Sequence, residues 1–191
     1  IGDSQPLAEP GLAEKIVEDA GHVDVLIVNL AVPAPRTAVT NVDDAEWQHV
    51  FSHLCDPLPR LFRSVLPQMI ERKAGKIVVM GSSSALRGMP LTSSYSAARG
   101  AQVSYVRSTG TEVARHNVQI NLIAQNFVEN PTYYPPELVA NEKFQQRLQR
   151  DVPLGRLATP EEDAQFAIFL AASEVNFFVG QSISFSGGWV T

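Results

Sequence analysis

The feature that most restricts how this chain can fold is an alternation of two periodicities. Short β-branched runs recur at Val23–Asn29, Lys76–Gly81, Val118–Ile123 and Ser182–Phe185, separated by longer stretches with apolar residues three and four apart. Leu58, Leu61, Phe62, Val65, Leu66, Met69 and Ile70 form one such stripe over three helical turns, and it has to pack on something. Strands separated by amphipathic helices are the pattern of a parallel sheet with crossover helices. A helix start is written at Thr159-Pro160-Glu161-Glu162, with Thr159 as cap, Pro160 in the first helical position and Glu162 reaching back as a capping box. The stretch 126–136 holds three prolines and two tyrosines and is expected to be an irregular loop.

At 191 residues and 45% hydrophobic composition the chain can bury one substantial core, so residues 1–191 are taken as a single domain. A net charge of −5 argues against a nucleic-acid partner and against an anionic membrane surface, and favours a small neutral ligand. Cys55 is the only cysteine, which excludes an internal disulfide and a CxxC metal site; a reducing cytoplasm is the expected setting. Apolar runs such as 166–172 are far shorter than a membrane span. His22, His49, His53 and His116 have no spacing that would make them converge on a metal, and surface or capping roles are expected for them. Trp47 and Trp189 are expected to pack. The sequence starts at Ile1 without methionine and takes up a helix-like pattern soon afterwards, so it is expected to be part of a longer protein.

In an open α/β sheet, ligands bind beyond the carboxyl ends of the strands. The loops starting at Asn29-Leu30-Ala31, Gly81-Ser82-Ser83-Ser84 and Gln125-Asn126-Phe127 should therefore surround one site. The segment that follows the second loop carries Tyr95 and Arg99, four residues apart and so on one helical face. A permanent cation beside a phenol favours the phenolate, which would let Tyr95 act as a general base. Ser82, thirteen residues upstream, could hold a substrate oxygen while its proton is taken. The same tyrosine and arginine could equally be a solvated surface pair. For Ser83 and Ser84, loop solvation and turn hydrogen bonds are expected.

These segments resemble the short-chain dehydrogenase/reductase superfamily over nearly the whole chain. The resemblance is carried by "DVLIVNLAV", "RSVLPQMIERKAGKIVVMGSSSA", "YSAAR", "VPLGRLATPEEDA" and "FSGGW". It implies a Rossmann-like, three-layer α/β fold whose N-terminal strands would precede Ile1, leaving Val23–Asn29 as an exposed edge and the 191 residues unable to fold stably alone. Arg99 in place of the superfamily's lysine resembles the haloalcohol dehalogenases (halohydrin hydrogen-halide-lyases), and "VPLGRLATPEEDA" with "GGWVT" looks most like their B-type subgroup. Where reductases carry Asn-Ala-Gly this chain has Asn29-Leu30-Ala31, whose bulk would crowd a dinucleotide, and their helix asparagine falls at Leu54.

The resemblance implies a cofactor-free lyase, with Ser82, Tyr95 and Arg99 as the catalytic triad and no metal. Vicinal haloalcohols would close to epoxides with release of halide, and small anions would reopen the epoxides. It also implies a halide site built from Asn126, Phe127 and Val128, including backbone amides of that loop, with aromatic walls from Phe127, Tyr133 or Tyr134; the two tyrosines could alternatively just cover the core. Some relatives assist the arginine with a carboxylate, but here that position is Leu30. The family's homotetramer would pair the Leu58–Ile70 and Tyr95–Arg115 helices. Two other readings stand beside this one: an NAD(P)-dependent short-chain reductase with an unusual arginine, and a non-catalytic relative.

Overall fold

The computed structural model describes residue 7 and residues 9–191, so the chain start at Ile1 lies outside the described residues. Four parallel strands, β1 (Val25–Val28), β2 (Gly75–Ser82), β3 (Val118–Gln125) and β4 (Ser182–Phe185), form one sheet in the order β1-β2-β3-β4. Each connection is a crossover, as the alternating periodicities require. Pairing with two neighbours extends β2 and β3 a residue or two beyond their β-branched runs. β1 has one neighbour among the described residues and is shorter than its apolar run.

The pleat sends alternate side chains into two cores. Ile77, Val79, Ile120, Leu122 and Ala124 face a large cluster built with α1 (Leu12–Ala20), α2 (Asp44–Leu54), α3 (Pro57–Arg72) and α4 (Ser93–Val113). Val78, Met80 and Ile123 face α7 (Pro160–Ala172) through Ala167, Leu170 and Ala171. The result is the expected Rossmann-like, three-layer arrangement. The α3 stripe is placed as the spacing predicts, with Leu58, Leu61, Phe62, Val65 and Met69 all at most 4% exposed. Leu66 and Ile70 of the same stripe are partly buried against the large cluster. β1 is the sheet edge among the described residues, and its Val25 and Ile27 are 40% and 48% exposed. No helix among the described residues is long and apolar enough to cross a membrane.

After β3 the chain is irregular, as expected, before the short α5 (Pro136–Val139) and then α6 (Glu142–Asp151), which buries Phe144 and Leu148. These two residues, with Phe127, Val152 and Leu157, make a third small cluster. Trp189 packs against it, edge-on to Phe127 at 5.8 Å. Trp47 departs from expectation: it is 45% exposed and stacked on Phe51 of its own helix.

The capping box at α7 is formed as written in the sequence: Thr159 Oγ1 accepts from the Glu162 amide at 3.2 Å, and the Glu162 carboxylate accepts from the Thr159 amide at 2.9 Å. Arg156 also grips that carboxylate with two bonds of 2.7 Å. Thr159→Ala should cost about 1 kcal/mol, read as a lower urea midpoint at unchanged m-value. The Arg156 bond, then the Thr159 amide, holds the Glu162 carboxyl down to about 2 from its ordinary 4.5. A folded-state value below the unfolded one contributes stability above pH 4.5, lost as pH falls toward 2. Glu162→Gln should therefore flatten the acid side of the stability profile in that window.

Candidate active site

The carboxyl ends of β1, β2 and β3 open into a cavity of ≈ 1210 Å³. All eight residues singled out in the sequence line it: Ser82, Tyr95 and Arg99 together with Asn126, Phe127, Val128, Tyr133 and Tyr134. The volume is larger than an ordinary small-molecule pocket.

Ser82 is the last residue of β2, and its hydroxyl lies 3.0 Å from the Ser84 hydroxyl while accepting from the Ser84 amide at 3.2 Å. Ser83 and Ser84 are not solvated, as the sequence suggested, but only 0% and 5% exposed. The turn folds back on the sheet, and Ser83 donates to the Ala124 carbonyl of β3. These bonds fix the turn that presents Ser82.

Tyr95 and Arg99 stand one turn apart on α4, and both are buried, at 8% and 5% exposure. They are not a solvated pair. The guanidinium carbon lies 5.0 Å from the centre of the Tyr95 ring. Arg99 Nη1 donates to the Met80 carbonyl at 3.3 Å and to Gln102 Oε1 at 3.1 Å, and Nη2 donates to the Leu30 carbonyl at 3.1 Å. Every one of these acceptors is neutral, and no carboxylate pairs with Arg99 among the described residues. The charge is held by dipoles rather than cancelled.

Leu30 both lines the cavity and, at 5% exposure, packs into the main core. Its backbone oxygen is the arginine's partner, at the position where some relatives use a carboxylate. A carbonyl contributes this regardless of side chain, which is why residue type alone hid it.

The loop after β3 is strained where the halide site was expected. Phe127 has φ 59°, a left-handed conformation that costs an aromatic residue about 1–3 kcal/mol, and such outliers concentrate at functional sites. The expected amide nest is only partly present. The Asn126 amide donates to the Phe185 carbonyl, the Phe127 amide to Asn126 Oδ1, and the Glu129 amide to the Ala158 carbonyl. The Val128 amide is left without a partner among the described residues. Tyr134 packs between Phe127 and Phe144, and its hydroxyl donates weakly to Asn126 Oδ1 at 3.4 Å, so it both covers the core and faces the cavity. Burial pushes its hydroxyl up to about 12. Tyr133 donates to the Val32 carbonyl at 2.9 Å; burial, then the neighbouring Tyr95, raises its pKa, with Arg99 pulling the other way.

Two polar residues here, Gln102 and Asp163, were not evident from sequence. Gln102, 1% exposed, follows Arg99 by three positions on the same helical face, a spacing that could have revealed it. The side-chain amide of Gln125 meets the Asp163 carboxylate of α7 at 2.7 and 3.0 Å. Burial raises the pKa of Asp163. Their partnership joins two distant segments and leaves no local pattern.

The family model described as enoyl-(acyl carrier protein) reductase matches residues 8–190. The chain belongs to the short-chain dehydrogenase/reductase superfamily. Among its members, the 3-oxoacyl-[acyl-carrier-protein] reductase FabG of Thermotoga maritima is 30% identical over 179 residues, which are 94% of this chain and 71% of that protein. Among solved superfamily structures, one named as a dehalogenation enzyme is 31% identical with a TM-score of 0.87, covering 97% of this chain and 75% of that one. A halohydrin dehalogenase (HheC) bound to ethyl (2S)-oxiran-2-ylacetate is 25% identical with a TM-score of 0.89, covering 100% of this chain and 77% of that one. Superfamily membership agrees with the parallel sheet and its crossover helices.

Proposed function

We propose that this protein is a cofactor-independent haloalcohol dehalogenase. The observation that carries the reading is the disposition of Arg99. Its guanidinium is 5% exposed, lies over the Tyr95 ring, and has Nη1 and Nη2 committed to the Met80, Leu30 and Gln102 oxygens. A superfamily lysine that serves a reductase has to offer its charge outward to a nicotinamide ribose. Arg99 lines the cavity but has both Nη groups engaged by protein oxygens, which argues against that contact. The likeness to two dehalogenases, one of which holds an oxirane, supports the same reading.

In this reaction Ser82 and Tyr95 bind the substrate hydroxyl, and Tyr95 removes its proton while the fixed cation favours negative charge on the phenol ring. The resulting alkoxide attacks the neighbouring carbon from the back. One C–O bond forms, the carbon–halogen bond breaks, and halide leaves with the bonding pair. The nucleophile and leaving group belong to one molecule, so orientation and deprotonation are the main demands on the protein. The departing anion is assigned to the Asn126–Val128 turn, where the Val128 amide is available and Phe127, Tyr133 and Tyr134 provide the aromatic walls.

The NAD(P)-dependent reductase reading is favoured by a different observation, the 30% identity to a 3-oxoacyl reductase, and the cavity is roomy enough for a larger ligand. Titration with NADH and NADPH separates the two. The dehalogenase reading expects no nicotinamide spectral shift at millimolar dinucleotide, with epoxide still formed from 1,3-dichloro-2-propanol. A micromolar Kd with reduction of a 3-oxoacyl substrate would replace it.

A further inference from the structure

Gln102 lies between Arg99 and the end of α2. Its Nε2 donates to the Leu54 carbonyl at 2.7 Å and its Oε1 accepts from Arg99 Nη1 at 3.1 Å. Leu54 is the last residue of α2, so its carbonyl is one of the acceptors left open at a helix end. The chemistry fixes the amide orientation, because a carbonyl only accepts and a guanidinium only donates. A glutamine bridges the two without adding charge. Glutamate would present a second acceptor to the Leu54 oxygen and cancel the arginine, whereas leucine or methionine would hold neither.

We infer that Gln102 is a positioning residue, which holds the Arg99 guanidinium over Tyr95 as an uncancelled charge by tying it to the carboxyl end of α2. Leu54 stands where the reductases' helix asparagine would fall, and here the main chain at that position is tied to the active-site cation through Gln102. The negative end of the α2 dipole thus supports the buried cation, and the tether limits where the guanidinium can move. This inference rests on Tyr95 being the proton acceptor of the proposed function, but not on which substrate supplies the proton.

Other ionisable groups lie around the pair and are accounted for by the difference spectrum. Cys55, just past α2, donates its thiol to the Ala98 carbonyl; burial, then Asp56, pushes it up to about 11 against the pull of Arg99. Tyr134 lies at about 12, Tyr133 is raised, and Glu46 of α2 is held by Thr37 and Ser94. Asp163, Glu129, Arg36 and Arg147 also line the cavity, and no histidine lines it among the described residues.

The test is an ultraviolet titration of tyrosinate absorbance, taken as the difference between each protein and its Tyr95→Phe counterpart. It is made on the parent, Gln102→Glu and Gln102→Met, with circular dichroism checking the fold. Gln102→Glu should move the Tyr95 transition up by about one pH unit or more, with the ascending limb of the kcat/KM profile following it. Gln102→Met, which releases the tether but leaves the charge, should move it in the same direction by less and lower kcat more than it changes KM. A folded Gln102→Glu whose Tyr95 transition stays at the parent value would overturn the inference. Should that variant not fold, an unmoved transition in Gln102→Met would do the same. The absorbance readout needs no turnover, so loss of the dehalogenase reading and loss of this one are told apart.

Discussion

Replacing Tyr95 by phenylalanine is expected to lower kcat/KM for halide release by about a thousandfold, with melting temperature held within a few degrees. The ring is 8% exposed and lies against the Arg99 guanidinium, so phenylalanine keeps the buried surface and most of the contact with the cation. Only the hydroxyl is lost, and with it the group proposed to take the substrate proton. Positioned general bases contribute about 10²–10⁴ in rate. Ser82 and Arg99 remain in the variant, so substrate binding should weaken much less than turnover. A Tyr95→Phe protein that retains more than a tenth of parental activity would assign the proton to another group.

The largest effect on stability is expected from Gly110→Val on α4. A Cβ at Gly110 would stand 2.9 Å from both the Cα and the nitrogen of Gly180, and 3.0 Å from the Ile120 carbonyl oxygen. All three are backbone atoms, so no flexible side chain can yield. Gly180 itself has φ +64° and donates its amide to that same Ile120 carbonyl at 2.8 Å, which pins the contact from the other side. Relief would require α4 to move off β3, taking with it the helix that carries Tyr95 and Arg99. Overpacking of this kind costs about 3 kcal/mol, and for a chain of this size that lowers the melting temperature by about 10 °C. The same variant should lose activity at temperatures where it is still folded, because the displaced helix carries the site. Unchanged melting would mean that α4 and the Gly180 turn are not in close contact.

Much of this architecture is written locally. β4 coincides with its β-branched run, and the α7 capping box needs only four consecutive residues. The α3 stripe is a single helical face, and the constellation of Ser82, Tyr95 and Arg99 follows from where one strand ends and one helix begins. Features that depend on backbone atoms or on distant partners were not legible in the same way. The Leu30 carbonyl serves Arg99 although leucine looks like an obstruction, and the Leu54 carbonyl serves Gln102 although leucine looks inert. Ser83 is buried because the turn folds onto β3, a tertiary contact that a run of three serines does not announce. The Asn126–Glu129 amides are mostly taken by β4, Asn126 itself and Ala158, partners that the loop's own sequence does not announce.

In the proposed reaction the buried Arg99 cation, held by neutral acceptors, supports proton removal by Tyr95 without a redox partner. The most direct test is chloride appearance from 1,3-dichloro-2-propanol, followed with an ion-selective electrode in buffer free of nicotinamide dinucleotides, for the parent and Tyr95→Phe proteins side by side. The expected result is steady chloride release with equimolar epoxide from the parent and release near background from the variant. Chloride at background from the folded parent, or release that is equal in the two proteins, would contradict it.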